Sequence, residues 1–178
     1  MDPKYYDDIE GQIHKFSGCE TYLELFEHQV KTRKDHPFLG SRIKQEDGSF
    51  GGYEWQTYGE IEKVAQQIAK GTKTLKLSVE TEGDGRKWRF VGIWAKNRWE
   101  WLATHIANMY YTVTTIGFFD SMGAAAVDFI LDQTELTCVF AAQEYINKLV
   151  LMKKDGMAKN LKFLVSFDQV TTAQIEAA

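Results

Sequence analysis

From Trp88 to Phe167 the chain alternates short, mostly apolar runs with stretches whose apolar residues recur every three to four positions. The runs are Trp88–Ala95, Thr112–Phe119, Cys138–Ala141 and Leu161–Phe167, and each is too short for a helix but long enough for a strand. Their lack of a strict apolar–polar alternation is what strands covered on both faces show. The intervening stretches read as helices of ten or so residues, the spacing of crossover units. The expected fold is therefore α/β, a mainly parallel sheet with helices on both faces.

Helix boundaries are marked by local chemistry. Thr57 and Glu60 form a capping box, and Ile61, Val64, Ala65, Ile68 and Ala69 line one face behind it; Gly71 is the expected C-cap. Asn97 with Glu100 opens a second helix, with Trp99, Leu102, Ala103, Ile106, Met109 and Tyr110 on its inner face. Asp120 or Ser121 caps a third, whose stripe is Met122, Ala125, Ala126, Phe129 and Ile130. Glu144–Met152 reads as a fourth helix. Thr72–Lys87 is polar, with a turn at Gly83-Asp84-Gly85 and a weak extension around Leu75 and Leu77.

Ahead of this region, Thr21 and Glu24 cap a helix carrying Tyr22, Leu25, Phe26, Gln29 and Val30, which His36-Pro37 ends. Phe38–Lys44 and Gly52–Gln56 flank the turn residues Glu46-Asp47-Gly48-Ser49, a β-hairpin signature. The helix and hairpin are expected to pack beside the sheet. Residues 1–20 read as an N-terminal extension and 21–178 as a single domain cut short at its C-terminus, because the helix opening at Thr171 has no strand to follow. The chain is accordingly expected to be a piece of something longer.

Composition narrows the function. Twenty-one basic and 25 acidic residues leave a net charge of −4, and no cluster of Lys and Arg is present, which excludes a generic nucleic-acid surface. Two cysteines, Cys19 and Cys138, are too few for a disulfide scaffold and point to a reducing, intracellular setting, cytosolic or at an organelle membrane surface. No secretory signal is visible at the start. The uncharged stretch Trp101–Phe119 has the length of a membrane span, but it divides into a helical pattern and a β-branched run, and reads as buried helix plus buried strand.

The search for chemistry finds no site. Gly71-Thr72-Lys73-Thr74 lacks the first glycine and the preceding strand of a phosphate loop, and Gly83-Asp84-Gly85 precedes a strand where a dinucleotide turn follows one. Glu24 and His28 share a helix face without a third ligand. Cys138 lies in an apolar run and reads as a small hydrophobe. Asp128 and Asp132 read as a solvated helix face, and Trp94, Trp99 and Trp101 as rings pointing apart rather than as an aromatic cage. No residue is assigned a catalytic, cofactor-binding or metal role.

Four segments in order carry a resemblance: Leu39-Gly40-Ser41-Arg42; Tyr53-Glu54-Trp55-Gln56-Thr57-Tyr58-Gly59-Glu60; Asn97-Arg98-Trp99-Glu100-Trp101; and Phe119-Asp120-Ser121-Met122-Gly123 with Ala126-Val127. From about Thr21 onward the chain resembles the N-terminal region of eukaryotic-type long-chain acyl-CoA synthetases, in the adenylate-forming superfamily. The last segment differs from the family's Tyr-Asp-Thr-Leu-Gly in losing a phenol hydroxyl while keeping a capping hydroxyl. The resemblance implies a parent enzyme that uses ATP and Mg²⁺ to activate a fatty acid as an acyl-adenylate and passes the acyl group to coenzyme A. It implies as partners the remainder of the ligase chain and, through the parent, a long-chain fatty acid, and leaves peripheral membrane association and self-association open. The family's phosphate loop, nucleotide motifs and catalytic lysine have no counterpart in these residues, so the segment is expected to be structural and to bind none of the cofactors alone. The alternative is a truncated or degenerate paralogue serving as a structural or assembly protein.

Overall fold

The computed structural model describes residues 18–177. They form two compact units, one up to Val64 and one from Ala65 onward, and a single helix runs from the first into the second. The expected N-terminal extension lies mostly outside the described residues.

In the first unit, α1 spans Tyr22–Arg33 and β1 and β2 span Pro37–Lys44 and Phe50–Thr57. The capping box at the start of α1 is formed as the sequence predicts: Glu24 N–H donates to Thr21 Oγ1 at 3.1 Å, and the Glu24 carboxylate accepts from Thr21 N–H at 3.1 Å. Phe26 and Val30 are the buried residues of α1. The Phe26 ring meets Phe38 of β1, and Phe38 stacks on Tyr58 with centroids 4.2 Å apart. The hairpin is antiparallel. Trp55 lies flat on its partner strand because Gly40 faces it; a Cβ there would come within 2.9 Å of the indole.

Helix α2, Tyr58–Thr74, begins with the predicted second box, Glu60 N–H donating to Thr57 Oγ1 and the Glu60 carboxylate accepting from Thr57 N–H at 2.8 Å. Gly71 does not end it. The helix continues another turn, and Lys76 takes the left-handed conformation (φ 51°) while Leu77 N–H reaches back to Thr72 O.

The second unit is built on β3 (Glu80–Gly83), β4 (Arg86–Trp94), β5 (Thr114–Phe118), β6 (Cys138–Ala141) and β7 (Phe163–Ser166). The linking helices are α3 (Trp99–Met109), α4 (Ala124–Gln133) and α5 (Gln143–Lys154), and α6 spans Thr172–Ala177. Strands β4 to β7 are parallel and lie in the order β5-β4-β6-β7; β3 joins the first half of β4 as an antiparallel partner. Strand β3 is the one element that the sequence reading passed over. Its residues, Glu80-Thr81-Glu82-Gly83, include no large apolar side chain, and it is held by pairs across the hairpin, Glu80 to Lys87 at 2.8 Å and to Arg89 at 3.2 Å. Asp84 and Gly85, both with positive φ, make the tight turn between the two strands.

The two faces of the parallel sheet are covered by different helices. Trp94, Phe118, Val139 and Ala141 form one core with Val127 and Leu131 of α4 and Tyr145, Ile146 and Leu149 of α5. Val91, Cys138 and Phe140 turn the other way, with Leu77, Val113 and Ile68. On β5, Thr115 is hydrogen-bonded to His105 and Asn108 of α3, so α3 lies opposite α4 and α5. Gly92, in mid-sheet, is squeezed by Phe118 and Val139; a Cβ would stand 2.9 Å from each. The stretch Trp101–Phe119 divides into a helix and a strand, as expected, but the strand is not buried as expected: it lies at the sheet edge, paired with β4 alone, and Phe118 is its one buried residue. Among the described residues no helix is long and apolar enough to cross a membrane.

Three helix-level expectations are corrected. α3 starts after Arg98, not Asn97, with no side-chain cap, because Glu100 pairs with the Arg98 guanidinium instead of the backbone. α4 starts after Gly123, not Asp120 or Ser121, again with no side-chain cap. The buried residues of α4 are Val127 and Leu131, whereas Phe129 is 64% exposed and Ala125 and Ala126 face solvent. The apolar residues there encircle the helix, so periodicity alone did not select the inner face.

Candidate functional site: a crevice at the carboxyl end of the sheet

Right-handed crossovers send the loop after β4 to one face of the sheet and the loops after β5 and β6 to the other. Where neighbouring loops part in this way, a crevice opens beyond the carboxyl ends of the strands. Here it measures about 590 Å³ and is lined by Ala95, Lys96 and Asn97 after β4 and by Phe118, Phe119, Asp120 and Ser121 at the end of β5. Its side chains include an ammonium, an amide, a carboxylate and a hydroxyl, beside the 68% exposed ring of Phe119.

Beneath the crevice the groups are fixed by buried neighbours. The Tyr145 hydroxyl of α5 donates to Asp120. Burial first, and then the bond to Asp120 and the nearby Glu144, hold this phenol well above its ordinary pKa, so it remains a donor. Its ring stacks on Trp94 at 4.8 Å, and the Lys148 ammonium lies over both rings. The Trp94 Nε1 donor is buried without a hydrogen-bond partner. Lys96 reaches Glu144 at 3.6 Å across solvent, a weak pair because both side chains are exposed.

Beside the crevice, Arg98 ties the loops together. Its guanidinium holds Glu100 at 2.7 and 2.8 Å and Asp168, beyond β7, at 3.0 and 3.1 Å. Asp168 also accepts from Gln143 N–H at the start of α5 at 2.9 Å. The bonds to Glu100, opposed in part by burial and reinforced by Asp168, raise the Arg98 pKa, so the guanidinium stays charged. Arg98 and Asp168 are 70 residues apart, and nothing in their local sequence announces the pairing.

The side chains weighed individually from the sequence are not brought together. Glu24 is spent on its cap, and Cys138 is fully buried, its thiol pushed up to about 12 by burial. Asp132 faces solvent, as expected of both α4 aspartates, but Asp128 is half-buried and accepts from Ala158 N–H at 2.6 Å. Trp94 enters the core, while Trp101 packs over Gly117 and beside His105. Gly71-Thr72-Lys73-Thr74 lies within α2 and is no loop. Among the described residues no group of three or more His, Cys, Asp or Glu side chains can hold a metal ion.

Comparison with known proteins gives this fold its family. The model of the AMP-binding enzymes matches residues 26–177, and the chain belongs to that family. Its relatives include long chain acyl-CoA synthetase 3 of Arabidopsis thaliana, 31% identical over 85% of this chain, and long-chain-fatty-acid–CoA ligase 1 of Cavia porcellus, 25% identical over 96%. The chain spans 21% and 23% of those two proteins. Among solved structures it is similar to the adenylation domain of a carboxylate reductase from Mycobacterium chelonae. That likeness has a TM-score of 0.68 at 20% identity and covers 99% of this chain and 27% of the other. The resemblance carried by the four motif segments is thus matched along nearly the whole chain.

Proposed function

We propose that these residues are the N-terminal segment of an AMP-forming long-chain fatty acid–CoA ligase, which joins a fatty acid to coenzyme A with conversion of ATP to AMP and diphosphate. The observation that carries this reading is the match over residues 26–177 to AMP-binding enzymes, together with relatives whose names are those of long-chain fatty acid ligases. ATP, Mg²⁺ and coenzyme A are cofactors of the parent, which supplies phosphate charge neutralisation and a thiol acceptor; this segment supplies scaffold.

By the rule for open α/β sheets, the crevice is a surface placed to meet a ligand. Lys96, Asn97 and Ser121 can bind and orient there. Nothing on its walls pairs a nucleophile with a base, so positioning is the contribution these residues make.

The test is AMP formation by the intact protein with ATP, Mg²⁺, coenzyme A and a long-chain fatty acid. AMP and acyl-CoA are expected in equal amounts, and neither from the 178-residue chain alone. Failure of the intact protein would favour the structural paralogue. Micromolar ATP binding by the isolated chain would overturn the scaffold role.

A further inference from the structure

Three successive residues in the first turn of α5 each reach part of the crevice rim. The Gln143 N–H donates to Asp168, the carboxylate that Arg98 holds beside Asn97. Glu144 pairs with Lys96 at 3.6 Å. The Tyr145 hydroxyl donates to Asp120 on the opposite wall. Gln143 and Glu144 are exposed, whereas Tyr145 is anchored in the core, 2% exposed. Its ring stacks on Trp94, and Trp94 in turn meets Phe118 of the β5 wall at 5.6 Å. The frame behind it is fixed as well, since Ala142 N–H donates to Trp94 O at 3.0 Å. Asp120 lies in an exposed turn after β5, so the bond to Tyr145 ties its side chain to a rigid part of the molecule. A carboxylate accepts more than one hydrogen bond, so Asp120 can hold the tyrosine and still meet a ligand.

We infer that Tyr145 is a positioning residue of the crevice: through its bond to Asp120 it sets the β5 wall, and Asp120 so placed accepts from an N–H or O–H group of the ligand. The inference rests on the reading of the crevice as a ligand surface, and it narrows the ligand. An ionised fatty acid has no N–H or O–H to donate, whereas ATP and coenzyme A both carry amino and hydroxyl groups. Tyr145 does not line the crevice, so its effect reaches a ligand through Asp120.

The test is calorimetric binding of three probes to the intact protein: ATP with Mg²⁺, coenzyme A, and palmitate. Tyr145→Phe keeps the ring and removes the hydroxyl. It is expected to weaken ATP or coenzyme A by about fivefold and to leave the other two probes within about twofold of wild type. Asp120→Ala, at an exposed position that does not endanger the fold, is expected to weaken the same probe at least as much. Adding Tyr145→Phe to it is expected to change nothing further. Wild-type binding of all three probes by Tyr145→Phe, equal weakening of all three, weakening of palmitate alone, or a double variant in which the two losses multiply overturns the positioning role. Acyl-CoA formation by the same wild-type sample is read separately. Tyr145-dependent binding without acyl-CoA formation sinks the ligase reading alone. Acyl-CoA formation with unchanged binding in Tyr145→Phe sinks the positioning role alone, and a wild type that binds none of the probes sinks both.

Discussion

Gly92 and Cys138 show how the sheet constrains single positions. At Gly92 the strand has no room for a Cβ, because Phe118 and Val139 converge on it from the two neighbouring strands. Gly92→Ala is expected to cost about 1–3 kcal/mol by overpacking, read as a lower denaturation midpoint; an unchanged midpoint would mean that the two neighbours yield freely. Cys138 is buried with its thiol raised from 9.0 to about 12. Between those values the unfolded chain loses the thiol proton while the folded chain keeps it, so stability falls as pH rises through this window. The slope from this one group approaches about 1.4 kcal/mol per pH unit. Denaturation of Cys138→Ala at pH 8 and pH 10 is expected to show a shallower loss than wild type, and identical losses would contradict the burial argument.

At the scale of elements, four helices end in the same way. The residues in the left-handed conformation are Lys76, Thr112, Glu135 and Gly156, and the next residue in each case donates back to the helix: Leu77 to Thr72, Val113 to Asn108, Leu136 to Leu131 and Met157 to Met152. Each ending turns an apolar residue back toward the core. One of the four positions is glycine, which explains why a search for glycine placed the end of α2 at Gly71, a turn early. A β-branched residue resists this conformation, so Thr112→Gly is expected to raise stability by up to about 1 kcal/mol, less what glycine adds to the freedom of the unfolded chain. A thermal melt of the variant checks this; a lower melting temperature would show that the Thr112 side chain contributes more than its strain removes.

Across the second unit, long-range polar contacts tie the crossover segments together. Arg98 connects the loop after β4 to the segment after β7, and through Asp168 to the start of α5. The charges are partly exposed, with side chains 26% and 34% accessible, so the coupling is modest. A double-mutant cycle of Arg98→Met with Asp168→Ala is expected to give about 1 kcal/mol of coupling by chemical denaturation. Strictly additive effects would reduce the contact to a surface pair of no consequence.

Much of this was legible in the amino-acid order. The capping boxes at Thr21 and Thr57, the hairpin, the strand at Cys138–Ala141 and the parallel α/β class all follow from local chemistry and periodicity, which act within a few residues. The family, too, was readable from four short segments, and the match over residues 26–177 agrees. Tertiary structure decided the rest. Which side of α4 faces inward depends on what packs against it, because apolar residues surround that helix. Glu100 had two possible partners, the backbone and Arg98, and the nearby guanidinium with its charge-assisted bonds prevailed. The crevice joins loops that follow different strands, and Tyr145 and Asp120 meet only after the chain has crossed the sheet. Such contacts depend on topology, and no local signal encodes them.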